Sequence, residues 1–296
     1  MAQIREIKKR IRSIENTKKV THAMELVAAA KMRKAQTSAL SGRPYSTSLN
    51  QIIEEVRRKT DETTHALLKK KQAQKQIIIL VTSDRGLTGG LNINLFKELF
   101  HLRGEKPSHL GGVNRISDTQ FITVGKKATN FVAKSGAQMI ASFESEEKSP
   151  LDLARTLSKM VTELFIKSQT HKVSILYPHF ESTVTQVPRW VQILPIEFED
   201  QQPTDLPTYY PTDLLFEPNV RKILDGILPH HVLTQIYQIL LEAKASEHSA
   251  RMVAMKNATD SAGDLIEDLT LTYNQARQEA ITNELLDIVT AQKAFQ

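Results

Sequence analysis

Two stretches of this chain lack the residues that end helices. Met1 to Ser41 contains neither glycine nor proline, and from Pro229 to Gln296 there is no further proline and a single glycine, Gly263. Because Gly and Pro are the strongest helix breakers, both ends are predicted to be long helices. At about 1.5 Å per residue the C-terminal one would reach roughly 100 Å. Helices of that length gain little stability alone in water, so they are expected to pack on each other.

Periodicity supports this. Ile4, Ile7, Ile11 and Ile14 form a stripe on one helix face. The stripe is expected to continue at a shifted phase through Thr17, Val20, Met24, Val27 and Ala28. Gly42 and Pro44 should interrupt, with another helical stretch at Leu49, Ile52, Ile53 and Val56. In the C-terminal part, Ile236, Leu240, Ala243, Ala250, Ala254, Ala258, Leu265, Leu269, Ala276, Ala280, Ile288 and Phe295 recur at helical spacing. Leu265, Leu269, Ala276 and Ala280 come close to an 11-residue repeat, which predicts a nearly straight or weakly wound helix.

The middle alternates differently. Gln76–Val81 is a continuous β-branched run of the kind found in a buried parallel strand. Further strands are predicted at Phe121–Val124, Ala137–Phe143, Val173–Tyr177 and Thr183–Leu194, with helices after Gly125 and over Pro150–Ser168. Strands alternating with helices give a small α/β layer. A proline-rich, acidic segment over Glu197–Pro218 reads as a linker. The expected organisation is an N-terminal coiled-coil helix over 1–57, an α/β domain over 75–206 and a C-terminal coiled-coil helix over 219–296.

Composition narrows function. The chain of 296 residues has no cysteine, which removes disulfides, thiolate catalysis and thiolate metal sites. Apolar residues make up only 40% and aromatics 6%, which suits a chain with much exposed helix. No apolar run is long enough for a membrane span, and the N-terminus has no apolar signal core. The three glycines within Thr82–Asn92 stand where phosphate-cradling loops occur, but match neither the dinucleotide pattern nor GxxxxGK[ST]. The plainer reading is a tight strand–helix turn using positive φ. The histidines lack metal-ligand spacing, and His230 and His231 should diverge on a helix. Glu144, Glu146 and Glu147 fit a solvated loop. No catalytic, cofactor-binding or metal-binding residue is expected.

The net charge is +6. The N-terminal helix is basic, with Arg5, Lys8, Lys9, Arg10, Arg12, Lys18, Lys19, Lys31, Arg33 and Lys34 against Glu6, Glu15 and Glu25. Such a face suits an acidic protein partner or a phosphate backbone. Without aromatic interleaving, the acidic partner is preferred. A basic coiled-coil nucleic-acid binder and a nucleotide-binding α/β enzyme with helical arms remain the alternatives.

Longer motifs carry a resemblance. Glu247–Asp260, Thr272–Leu285 and the end Glu284–Val289 resemble the signature of γ subunits of F-type ATP synthases. The run Ile11–Lys34, the triplet Arg43-Pro44-Tyr45, and Asp84–Leu87 with Gly89–Asn92 are similar to the same family, in the same order. Thr88 stands where the family often has Cys, and Ser261 where it commonly has Asn. No cysteine-bearing insert of the photosynthetic type is present, so the resemblance is to the bacterial type.

The resemblance implies a fold: a long antiparallel coiled coil of the terminal helices with an inserted Rossmann-like α/β domain. It implies a function: the central rotor of a proton-translocating F-type ATP synthase, which is not catalytic by itself and binds no cofactor. The partners implied are the α and β subunits of a hexamer, the ε subunit and the membrane c-ring, with no nucleic acid. The expected place is peripheral, at the cytoplasmic face of a bacterial inner membrane. By the same resemblance Met24, Lys31, Arg33 and Arg251 face acidic loops of β. Arg277, Gln278, Thr282 and Glu284 match the motif that hydrogen-bonds a β catch region.

Overall fold

A computed structural model describes residues 2–58, 65–69, 75–101, 119–145, 149–197 and 220–294. The elements in order are α1 (Ala2–Arg58), β1 (Gln76–Val81), α2 (Leu91–His101), β2 (Thr119–Val124), α3 (Lys126–Ser135), β3 (Gln138–Phe143), α4 (Pro150–Ile166), β4 (Lys172–Phe180), β5 (Gln186–Leu194) and α5 (Val220–Ala294). The chain divides into two compact units. One is Met1–Ala30 with Arg251–Gln296, and the other is Lys31–Ala250.

The larger unit is built on a five-stranded sheet in the order β3-β2-β1-β4-β5. β1 pairs in parallel with β2 and β4, β2 in parallel with β3, and β5 closes the edge antiparallel to β4. The continuous apolar run at β1 is explained by its central place, with all six residues buried. Alternate residues serve opposite faces. Ile78 and Leu80 join Phe121 and Leu176 against α2 and α3, through Leu95, Leu99, Ala128 and Val132. Phe96 and Phe131 stack between those two helices with ring centroids 4.0 Å apart.

On the other face Ile77, Ile79 and Val81 meet α4 through Leu153, Leu157, Val161 and Phe165. The same cluster takes in Leu49, Ile53 and Val56 of α1, and Leu224, Leu228, Val232 and Ile236 of α5. The sheet therefore shares its core with both terminal helices.

α1 runs unbroken through Gly42 and Pro44, against the expected interruption. Proline removes one N–H and crowds the preceding turn, normally a cost of about 3 kcal/mol. Tertiary contacts hold the turn in place. Gln238 Nε2 donates to the Ala39 carbonyl at 2.9 Å, and the Tyr45 hydroxyl and His230 Nε2 are 2.6 Å apart. Ala39 and Leu49 are buried on either side. α5 likewise continues through Pro229.

In the smaller unit α1 and α5 are antiparallel, with Lys18 beside Gly263 and Thr21 hydrogen-bonded to Thr259 at 2.8 Å. The seam keeps one phase. In α1, Ile4, Ile7, Ile11, Ile14, Thr21, Glu25 and Ala28 are buried or half-buried. Val20 and Val27 are 58% and 57% exposed, so the expected phase shift does not occur. The stripe passes instead through the polar positions Lys18 and Thr21. In α5 the inner positions are Met255, Thr259, Ala262, Ile266, Leu269, Tyr273, Ala276 and Ala280. These steps alternate between four and three, which is a heptad and not an 11-residue repeat. Leu265, counted in the sequence stripe, is 52% exposed, and its neighbour Ile266 takes the seam.

Histidine burial gives this fold a pH dependence. Burial, reinforced by the adjacent His230, pushes the His231 imidazole down to about 4 from the ordinary 6.5. Between those values the unfolded chain binds a proton that the folded chain refuses, so stability falls as pH drops through that window. The contribution is roughly 3 kcal/mol. Urea midpoints measured from pH 7 to pH 4 should fall, and by less in His231→Asn than in the wild type. Equal slopes would refute this assignment.

Candidate functional site

The glycine turn after β1 is the first place to look for chemistry, because it joins strand ends to helix N-termini. The backbone donors of the neighbouring α3 N-terminus are already used. Asp84 Oδ1 accepts the Lys126 backbone N–H at 3.0 Å, and Thr82 Oγ1 accepts that of Ala128 at 2.8 Å. The first turn of α3, where an anion would bind, is thus capped by the chain's own carboxylate and hydroxyl. Asn92 holds the other side, accepting from Ser83 N at 3.3 Å and donating to Ser83 Oγ at 2.8 Å. Among the three turn glycines, Gly89 has positive φ, and Leu87 also adopts it. The tight-turn reading accounts for this segment better than a phosphate cradle does.

Glu144 pairs with Lys126 at 3.0 Å on the surface. That hydrogen bond and charge raise the lysine above its ordinary range. Glu146 and Glu147 lie outside the described residues, as does Phe295. His230 and His231 diverge as expected, one toward Tyr45 and the other into the interior. Among the described residues no group of His, Asp or Glu is placed to hold a metal ion. None of their helices is long and apolar enough to cross a membrane.

What remains as functional surface is helical. In the smaller unit a groove of about 460 Å³ lies beside the polar part of the seam, lined by Lys18, Lys19, His22 and Lys256 with Glu25 and Asp260. Met24 is half-buried nearby in α1, and Arg251 is half-buried in α5. Arg277, Gln278, Thr282 and Glu284 are all exposed on successive turns of α5. The Thr282 hydroxyl donates to the Gln278 carbonyl of its own helix at 2.9 Å. In the larger unit Lys31 and Arg33 are exposed on α1.

From residue 281 to 290 every position of α5 is exposed. The sequence explains why. Continuing the seam beyond Ala280 by steps of three and four lands on Asn283 and Asp287, so the apolar seam stops there. Yet Ile281, Leu285, Leu286, Ile288 and Val289 are all large and apolar. Ile281, Leu285, Ile288 and Val289 follow i, i+4, i+7 and i+8 and share one face about 100° wide, with Leu286 at its edge, turned away from the side of the seam.

One cluster was not foreseen from the sequence. Tyr177 and His179 on β4 meet Glu242 of α5, and Arg189 on β5 backs His179. The only hint was a carboxylate set in the otherwise apolar run Ile239-Leu240-Leu241-Glu242-Ala243.

Known proteins match along nearly the whole chain. A family model described as ATP synthase matches residues 3–295. An ATP synthase gamma chain of Opitutus terrae is 36% identical, with 99% of each chain covered. One from Dehalococcoides mccartyi is 40% identical over 98% of each. A chain from the Euglena gracilis mitochondrial ATP synthase in rotational state 3 superposes with a TM-score of 0.68 at 20% identity, covering 99% of this chain and 95% of that one. A second, from the rotor of the same assembly in rotational state 1, gives 0.62 at 19%, covering 95% and 99%. Those solved structures share the fold, and the full-length sequence identity to the curated relatives shows the family: this chain belongs to the ATP synthase γ-chain family.

Proposed function

We propose that this chain is the central rotor shaft of a bacterial F-type ATP synthase, coupling ion flow through a membrane c-ring to conformational change at β-subunit catalytic sites. It contributes no catalytic residue of its own. Its partners are the α and β subunits of the catalytic hexamer, the ε subunit and the c-ring, and it sits peripherally at the cytoplasmic face of the inner membrane.

The observation that carries this reading is the C-terminal end of α5. A helix end that leaves a stripe of large apolar side chains exposed, on the side away from its own coil partner, calls for a surface outside the chain to cover it. A ring of α and β subunits is such a surface. Small and basic residues along the coil suit the rest of the task. Met24, Lys31, Arg33 and Arg251 would meet acidic loops of β, and Arg277, Gln278, Thr282 and Glu284 would hydrogen-bond near the top of the hexamer. An asymmetric shaft shifts the three β sites only through contacts that differ between their states.

The reading is tested by affinity capture of the tagged chain from detergent-solubilised membranes, with Mg-ATPase assayed on the eluate. Capture of α, β and ε with ATPase activity is expected. Capture of nucleic acid, with no ATPase, would favour the basic polyanion binder instead.

A further inference from the structure

Within Lys31–Ala250, α5 lies against the sheet mostly through apolar contacts, from Leu224 to Ala243. Such contacts are non-directional: they resist rotation through the cost of withdrawing interdigitated side chains, but they fix no hydrogen-bonded register. A shaft that carries torque needs directional bonds as well. The structure provides them at two places on one face of the helix.

The first is Glu242. Its Oε2 accepts from the Tyr177 hydroxyl at 3.1 Å and lies 3.0 Å from His179 Nδ1. Arg189 Nη1 stands 3.4 Å from His179 Nε2. This network assigns the histidine proton to Nδ1, which donates to the carboxylate, while Nε2 accepts from arginine. The His179 and Glu242 side chains are only 21% and 16% exposed, so the bonds are shielded from water. Burial, and then the charge of Glu242, holds the Tyr177 hydroxyl well above its ordinary range, and it stays a donor. Arg189 and Tyr177 are direct cross-strand partners, so one edge of the sheet presents the whole set.

The second place is Ser249, whose hydroxyl donates to the Thr183 carbonyl in the β4–β5 turn at 2.7 Å. Residues 242 and 249 are two helical turns apart on the same face, roughly 10 Å along the axis. Between them Ala243, Ala245 and Ser246 are buried, and Ala250 follows. Small side chains let the hairpin come close to the helix.

We propose that these two attachments form a torque lock between the β4–β5 hairpin and α5, with Glu242 as its positioning residue. The proposal rests on the rotor reading. It adds that the sheet turns with α5 because of directional bonds at Glu242 and Ser249, and that apolar packing alone lets the hairpin slip under load.

The test uses the assembled complex in membrane vesicles, comparing ATP hydrolysis with the ion gradient it sustains. Glu242→Ala should keep hydrolysis within about twofold of wild type and lower the maximal gradient per ATP hydrolysed at least twofold. Glu242→Gln, which keeps an acceptor for Tyr177, should lie between. Tyr177→Phe removes a single hydroxyl and should shift the ratio the same way by less, which keeps the test open if Glu242→Ala fails to assemble. Because this chain has no cysteine, the pair Thr183→Cys and Ser249→Cys can replace the lock covalently. Oxidation of that pair in the Glu242→Ala background should restore the ratio, and reduction should remove it again. A ratio unchanged in Glu242→Ala and Tyr177→Phe, hydrolysis and gradient falling in proportion, or a disulfide without effect would overturn the lock. A wild-type complex that hydrolyses ATP without building any gradient would overturn the rotor reading and the lock together.

Discussion

Gly125→Ala is expected to cost at least about 3 kcal/mol of folding stability, among the largest effects of any single substitution in this chain. Gly125 joins β2 to α3 with φ at 99°, a conformation side chains rarely adopt. A Cβ there would stand 2.3 Å from the Thr82 carbonyl oxygen and 2.8 Å from its hydroxyl. Neither atom can step aside freely. Thr82 N–H donates to the Val124 carbonyl at 2.8 Å, and its hydroxyl caps α3. Moving Thr82 would therefore pull β1 from β2 and uncap the helix at once. Gly136 is the comparison: its φ is 71°, yet nothing lies within 4 Å of a Cβ there. Gly136→Ala should cost only the backbone strain, about 1–2 kcal/mol. Urea denaturation of the two variants measures the difference, and a Gly125→Ala midpoint near wild type would refute the account of this turn.

The second large effect is on assembly and leaves the fold alone. Replacing Leu285, Leu286, Ile288 and Val289 together with glutamine should leave the isolated chain within about 1 kcal/mol of wild type. All four are exposed there, and glutamine is a good helix former. In the complex the same change should lower coupled ATP synthesis at least tenfold. If a sleeve buries these side chains, each is worth about 1.5–3 kcal/mol of contact with it. Loss of even one such contact exceeds the 1.4 kcal/mol that corresponds to a factor of ten. Unchanged synthesis would mean that this helix end is not gripped.

The helices and strands were legible in the sequence because each follows from local pattern. β1 reads as buried on both faces, and β1 lies at the centre of the sheet. The breaker-free ends read as helices, and α1 and α5 are helices. Pro44 was misread because its effect is local, whereas what overrides it comes from Gln238 and His230, far away in the chain. The coil seam was misread for a related reason. Leu265 and Ile266 are adjacent and equally apolar, and only the opposing helix decides which faces inward. Lys18 and Thr21 hold seam positions that no hydrophobic count would assign, since a polar layer is visible only from Thr259 across the interface.

The glycine segment after β1 holds Leu87 and Gly89 at positive φ, and Asp84 beside it caps α3. The residues assigned to partner contacts came from motif resemblance alone; Lys31, Arg33, Arg277, Gln278, Thr282 and Glu284 are exposed, whereas Met24 and Arg251 are half-buried. The Glu242 cluster was illegible because its members come from β4, β5 and α5. A single carboxylate in an apolar run is no signal until the strand beside it is known.

The central claim is that this chain turns within its complex. Lys134 is exposed on α3, and the chain has no cysteine, so Lys134→Cys gives one attachment point on the sheet-bearing unit for a light-scattering bead. The hexamer would be fixed to glass through its other subunits and supplied with Mg-ATP. The account predicts continuous one-way rotation of the bead, with three dwell positions per turn, one for each catalytic site. A bead that stays fixed while the same complexes hydrolyse ATP would contradict it.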